Sequence, residues 1–316
     1  MASRVLQHLL FLSCCIFWGV VVPLTTTGCS IKKLALRSVA DAMSGTGTVY
    51  SRDDDPELVR DAIPFALKTM EQLADALPDH VGIRVALARS CTSLAVGFYK
   101  EDAEHMEDRD VKASRPMYTR SKKMSLRARR YALEALELRV KGAKKTMEEG
   151  DDAAQQAVLV RLEKKDVELL YWLGASWAAA IASAKDDMHL VGSLPRVGHV
   201  MERALALDES YDEGALHEFF ILFDSGRGTD QGGGPKKAEA HYKRALELGK
   251  NRKLSPLVSL AETVLVDAQN KKEFERLLKQ VLAADVDQFP EYRLVNILAH
   301  RRAQWLLGRT DELFAE

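Results

Sequence analysis

Ala204-Leu205-Ala206-Leu207 and Ala245-Leu246-Glu247-Leu248 are near-copies, and each closes a segment with apolar residues at three- and four-residue spacing. Ala135-Leu136-Glu137-Leu138 is another copy, and Val281-Leu282-Ala283-Ala284 is a looser one. The last three begin at positions 204, 245 and 281, which makes the repeat lengths 41 and 36 residues. A tetratricopeptide unit is a helix–turn–helix of about 34 residues, so the spacing fits such units carrying insertions. Tyr171-Trp172-Leu173-Gly174 opens one unit that Ala204 and Asp208 close, and Ala238, Tyr242 and Ala245 fit the second helix of the next. The physical logic is packing: small alanines let two antiparallel helices approach, and large residues fill the gaps between units. The expected fold is all-α, with tetratricopeptide-like helical hairpins in a curved array of cryptic repeats. A generic helical bundle is the alternative.

Composition agrees. Apolar residues make up 47% of the 316 residues, which excludes global disorder. Aromatics are only 7%, which disfavours a sandwich or barrel. Lys and Arg number 45 against 46 Asp and Glu, so the net charge of −1 lacks the basic excess of a nucleic-acid binder.

Helical periodicity is predicted over 32–43, from the Asp53-Asp54-Asp55-Pro56-Glu57 cluster to Leu77, and over 81–105, 118–149, 151–184, 192–207, 211–223, 235–249, 254–269, 271–284 and 290–307. The acidic cluster with its proline suits a helix N-terminus better than a cation site. No stretch alternates like a strand. Asp224 to Pro235 is glycine-rich, but no Gly-Lys-Ser/Thr follows it and no strand precedes it, so it reads as a loop and not as a phosphate cradle.

The N-terminus reads differently from the body. Arg4 precedes an apolar run, Leu9 to Val22, and Thr27-Gly28-Cys29 follows. The run is shorter than the roughly 20 apolar residues of a spanning helix. The pattern resembles a bacterial lipoprotein signal, with Thr26 standing where Leu is usual. Residues 1–28 are then the signal peptide and Cys29 the lipidated first residue, since a thiol is the nucleophile that takes the diacylglyceryl group. Residues 29–50 read as a lipid-anchored tether with a short helix, and 51–316 as the repeat domain. Removing Arg4 leaves 44 basic against 46 acidic residues, or −2. Cys91, in an apolar helical pattern, then has no partner and reads as a core thiol.

No catalytic constellation stands out. The eight His are scattered without metal-ligand spacing, and no cofactor motif is found. The densest aromatic patch is Tyr171, Trp172 and Trp177, with His217, Phe219, Phe220 and Phe223 one unit later. In a hairpin array the first helices line the concave side. Tyr171, Trp172, Trp177, His217 and Phe220 are therefore candidates for a ligand or partner pocket, although most of these rings are expected to be core between repeats, where Trp and Leu are packing residues.

Thr27-Gly28-Cys29-Ser30, Asp53 to Ala62 with Pro64-Phe65-Ala66-Leu67-Lys68, and Pro78-Asp79-His80 carry a family resemblance. So do Leu170-Tyr171-Trp172 with Ala175-Ser176-Trp177, Met201 to Glu209, Gly214-Ala215-Leu216-His217 and Pro290-Glu291-Tyr292-Arg293-Leu294. In this order they resemble the T-component (TatT) lipoproteins of tripartite ATP-independent periplasmic (TRAP) transporters. The resemblance implies a periplasm-facing lipoprotein of cryptic hairpins that forms homotrimers and partners a periplasmic solute-binding protein. It implies non-catalytic support of solute uptake, with apolar or carboxylated ligands. Ser30 after the lipidated Cys is compatible with the outer membrane. The alternative expectation is a lipid-anchored scaffold for protein–protein interactions in envelope biogenesis, which would bind peptides in its concave groove.

Overall fold

A computed structural model describes residues 27–45 and 48–314, with side chains for 31–45 and 49–314. The expected signal peptide lies outside them except for its last two residues, and so does the Cys29 side chain, the expected lipid attachment point. Among the described residues every regular element is helical.

Helix α1 (Thr27–Ser44) is longer than the expected 32–43, and a short turn at Thr48–Ser51 leads into α2 (Pro56–Ala76). The acidic cluster caps α2 as its composition predicts: Asp55 Oδ1 accepts from the Leu58 amide at 3.0 Å. Pro64 lies within α2 without ending it. His80 then starts α3 (Val81–Glu107), accepting from the Ile83 amide through Nδ1 at 3.1 Å. Its Nε2 meets Asp41 of α1 at 3.0 Å, which pins α1 to this junction. Helix α3 is long and apolar enough to cross a membrane, but more than half of its most apolar window is buried inside the molecule. Its Cys91 is fully buried, and burial pushes the thiol up to about 12.

Two expected helices differ from the observed ones. The helix expected over 118–149 is α4 (Val111–Arg139) followed by a separate Ala143–Glu149. Asp110 caps α4 by accepting from the Lys112 and Ala113 amides, so α4 starts ahead of Pro116, which lies inside it. The break at its far end is a left-handed Gly142 (φ 84°), with Glu137 accepting from the Gly142 amide at 2.7 Å. The helix expected over 151–184 splits into Asp152–Leu159 and α5 (Val167–Ala182). A capping box between Glu163 and Asp166 starts the new segment, and Arg203 holds the freed carbonyls of Leu159 and Leu162 at 3.0 and 2.6 Å.

Beyond α5, the chain continues as α6 (Leu194–Leu207), α7 (Ala215–Ser225), α8 (Pro235–Leu248), α9 (Ser255–Leu265), α10 (Lys271–Ala283) and α11 (Arg293–Gly308). Consecutive helices pack on one another, as a hairpin series requires. The repeated motifs sit at the contacts: Ala135 and Ala204 are fully buried, and Ala245 Cα lies 3.2 Å from where a side chain on Gly214 would begin. Gly214 is left-handed (φ 92°), so glycine serves both the turn and the close approach of α7 to α8.

The buried apolar residues form two clusters, one running from Ala40 to Phe223 and the other from Ala238 to Phe314. The array curls until α11 meets α2 and the end of α3. From α11, Arg301 binds Glu57 at 2.9 Å and Arg302 binds Glu104 at 2.8 Å. Trp305 Nε1 donates to Asp108 at 2.8 Å.

Candidate functional site

Curling forms an open-sided cavity of about 1100 Å³. Each wall is the inward stripe of a helix at three- and four-residue spacing. Helix α2 gives Val59, Ile63 and Met70, and α3 gives Ser93, Val96 and Gly97. Helix α5 gives Tyr171, Trp172, Ala175 and Ala178, α7 gives Phe219, Leu222 and Phe223, and α11 closes the side with Leu294, Val295 and Leu298. In α3 the stripe passes through a π-helical turn, Ala95–Lys100, which turns Phe98 and Lys100 to the cavity as well. From Tyr171 to Ala182 the lining follows about 16 Å of α5.

Few charges reach this space. Arg89 is occupied: Nη1 donates to Glu168 at 2.8 Å, and Nη2 donates to the Gly45 carbonyl at 2.6 Å. At the other end of the α3 stripe, Lys100 pairs with Glu104. Arg227 lies 3.6 Å from Asp224 and stacks over Phe223, while Lys185 is exposed at the end of α5. Glu218 is the one carboxylate of the lining among the described residues. Burial raises its pKa, opposed by Lys253 and the Ser255 hydroxyl. Tyr171 faces the same region, and its hydroxyl is held well above its usual range by burial, with Glu218 adding to the effect. The Trp172 indole N–H is buried and faces the Tyr211 hydroxyl without a hydrogen bond of good geometry.

The structure divides the sequence candidates. Tyr171 and Trp172 line the cavity, as do Phe219 and Phe223 from the same patch. Trp177 and Phe220 are each 1% exposed and belong to the core. Trp177 Nε1 donates to Ser193 Oγ at 2.7 Å, and its ring lies under Arg129. His217 points away from the cavity toward α8, its Nδ1 meeting Nδ1 of His241 at 2.8 Å. His241 stacks on Phe220 and reaches the fully buried Asp224 at 3.4 Å. Burial lowers both imidazoles, and the neighbouring charges of His217 and Lys237 take His241 down to about 4.

Arg89 and Glu218, two of the charged residues that line the cavity, were not among the candidates. A signal for Glu218 existed, because it precedes Phe219 in a stripe that continues through Leu222 and Phe223. Arg89 carried none, since only the fold brings it to Glu168.

The model of the TRAP transporter T-component family matches residues 52–314. The chain is also 28% identical over 307 residues to an uncharacterized protein of Treponema pallidum (strain Nichols), covering 93% of this chain and 95% of that one. With the match running from the cap of α2 to the end of the last helix, the chain belongs to the TRAP transporter T-component family.

Proposed function

We propose that the chain supports TRAP-type transport without catalysis, by holding an apolar molecule in its cavity and exchanging it with a periplasmic solute-binding protein. Family membership carries the coarse part, a role in transport at the bacterial envelope. The observation behind the finer part is the cavity itself. Its walls are largely aliphatic and aromatic, with few polar groups, and its volume lies near the upper end of small-molecule sites. Lipid on Cys29 tethers the body to the membrane, facing the periplasm, with the outer membrane favoured by Ser30. A homotrimer follows from the family resemblance. The scaffold reading has less support, because Leu294, Val295 and Leu298 of α11 wall one side of the groove in which a peptide would lie.

The test is purification of the lipoprotein from its own membranes, followed by mass spectrometry of denatured extracts and crosslinking before solubilisation. Stoichiometric recovery of an apolar small molecule, with crosslinks to a solute-binding protein, is the expected result. An empty cavity with crosslinks only to envelope-assembly proteins would overturn the proposal.

A further inference from the structure

The cavity's walls are apolar, yet Glu218 stands on the first turn of α7 facing into it. A carboxyl in such surroundings normally brings its own partner, because leaving it unpaired in a low-dielectric site is costly. Here the partner is a hydroxyl, that of Ser255, and not a cation. No cation lies within salt-bridge distance of Glu218 among the described residues, and its polar neighbours are the Ser255 hydroxyl and Lys253. The Lys253 ammonium is already bound to Asp212, to its carbonyl at 2.6 Å and its carboxylate at 3.0 Å. Arg89, the cation of the lining on the Tyr171 side, is taken by Glu168 and the Gly45 carbonyl.

We infer that the cavity takes an apolar molecule whose head group donates a hydrogen bond to Glu218, as an amine or a hydroxyl does, and turns away anionic amphiphiles. The inference rests on the ligand-holding role proposed above and narrows it, since the family resemblance alone admits carboxylated ligands. A donor head gives the carboxyl a second partner beside the Ser255 hydroxyl, and the apolar body follows the lining along α5 toward Ala182. A carboxylate head would meet Glu218 with no cation at salt-bridge distance from it; of the other lining cations, Lys100 pairs with Glu104, Arg227 is drawn to Asp224 at 3.6 Å, and Lys185 at the far end stands in water, where its attraction is screened. Either donor suits the site: an amine forms a charge-assisted pair with ionised Glu218, and a hydroxyl can both donate to and accept from the carboxyl.

The experiment uses the mature chain produced without acyl groups, so that no detergent competes for the cavity. The hydrocarbon fluorophore diphenylhexatriene is bound first and then displaced by dodecylamine, dodecanol or dodecanoate, the alcohol kept below its solubility limit and the other two below their micelle concentrations. Dodecylamine and dodecanol should displace it at concentrations about tenfold below dodecanoate. With displacement expressed relative to each protein's own affinity for the fluorophore, Glu218→Gln should cost dodecylamine about tenfold and dodecanol no more than about threefold. Dodecanoate ranking first in the wild type, or an unchanged order in Glu218→Gln, would overturn the inference. Failure of the wild type to bind the fluorophore would instead overturn the ligand-holding role. The wild-type ranking is decisive by itself if Glu218→Gln does not fold.

Discussion

Trp172 and Trp177 sit on one helix five residues apart and do different work. Trp177 is sealed in the core with its N–H satisfied by Ser193, whereas Trp172 lines the cavity. Trp177→Ala should cost about 3–5 kcal/mol of stability in denaturant titrations. Trp172→Ala should cost less and weaken binding of an apolar fluorophore. Equal loss of stability in the two variants would contradict this division. Spacing could not separate them, because α5 is apolar nearly all round: Leu170, Leu173 and Trp177 face the core while Tyr171, Ala175 and Ala178 face the cavity. The histidine pair gives a pH dependence with a definite sign. Unfolded imidazoles titrate near about 6.5, whereas His241 in the fold stays neutral down to about 4. Below about pH 6.5 the unfolded chain takes up protons that the folded one refuses. Stability is therefore full above that pH and is lost as pH falls toward 4, by roughly 3 kcal/mol for His241. His217, Asp224 and Lys237 face the ring, and Glu209 holds the far side of His217. His241→Gln should flatten the fall in melting temperature between neutral pH and about pH 5. An unchanged slope would place the proton uptake elsewhere.

At the scale of the element, caps were legible and interior breaks were not. Asp55 caps α2 as an acid before a proline should, and the short apolar side chains of the repeated motifs mark the helix contacts. Pro116 looks like a boundary in sequence, yet Asp110 nucleates α4 ahead of it. The division between Leu159 and Val167 has no proline or glycine to announce it. It depends on Asp166, whose carboxylate accepts from the Glu163 amide at 3.0 Å and meets Arg139 Nε at 3.0 Å, and on Arg203 from a helix later in the chain. Asp166→Ala removes the local half of this arrangement and should cost about 1–3 kcal/mol. Amide exchange should then quicken across 160–167, and unchanged protection there would mean that Arg203 alone fixes the break.

At the scale of the whole molecule, the repeats predicted a curved array but not its closure. The pairs that close it join residues between 197 and 244 positions apart, and such pairs leave no local pattern. Arg302 is the centre of the closure. It is 12% exposed and surrounded by Glu262, Glu104 and Glu101, with its guanidinium over Trp305 at 4.2 Å. Arg302→Met strands these carboxylates together and should destabilise the fold by about 3–5 kcal/mol. Amide exchange should quicken first along α11, because this polar contact joins two separate apolar cores. Closure in turn makes the cavity, which is the basis of the proposed role. The most direct measurement is therefore a titration of diphenylhexatriene into the mature chain and into Ala175→Trp, which fills the cavity from the middle of α5. Saturable, near-stoichiometric binding by the wild type, lost in a folded Ala175→Trp variant, is the expected result. Equal binding by both proteins, or none by the wild type, would contradict it.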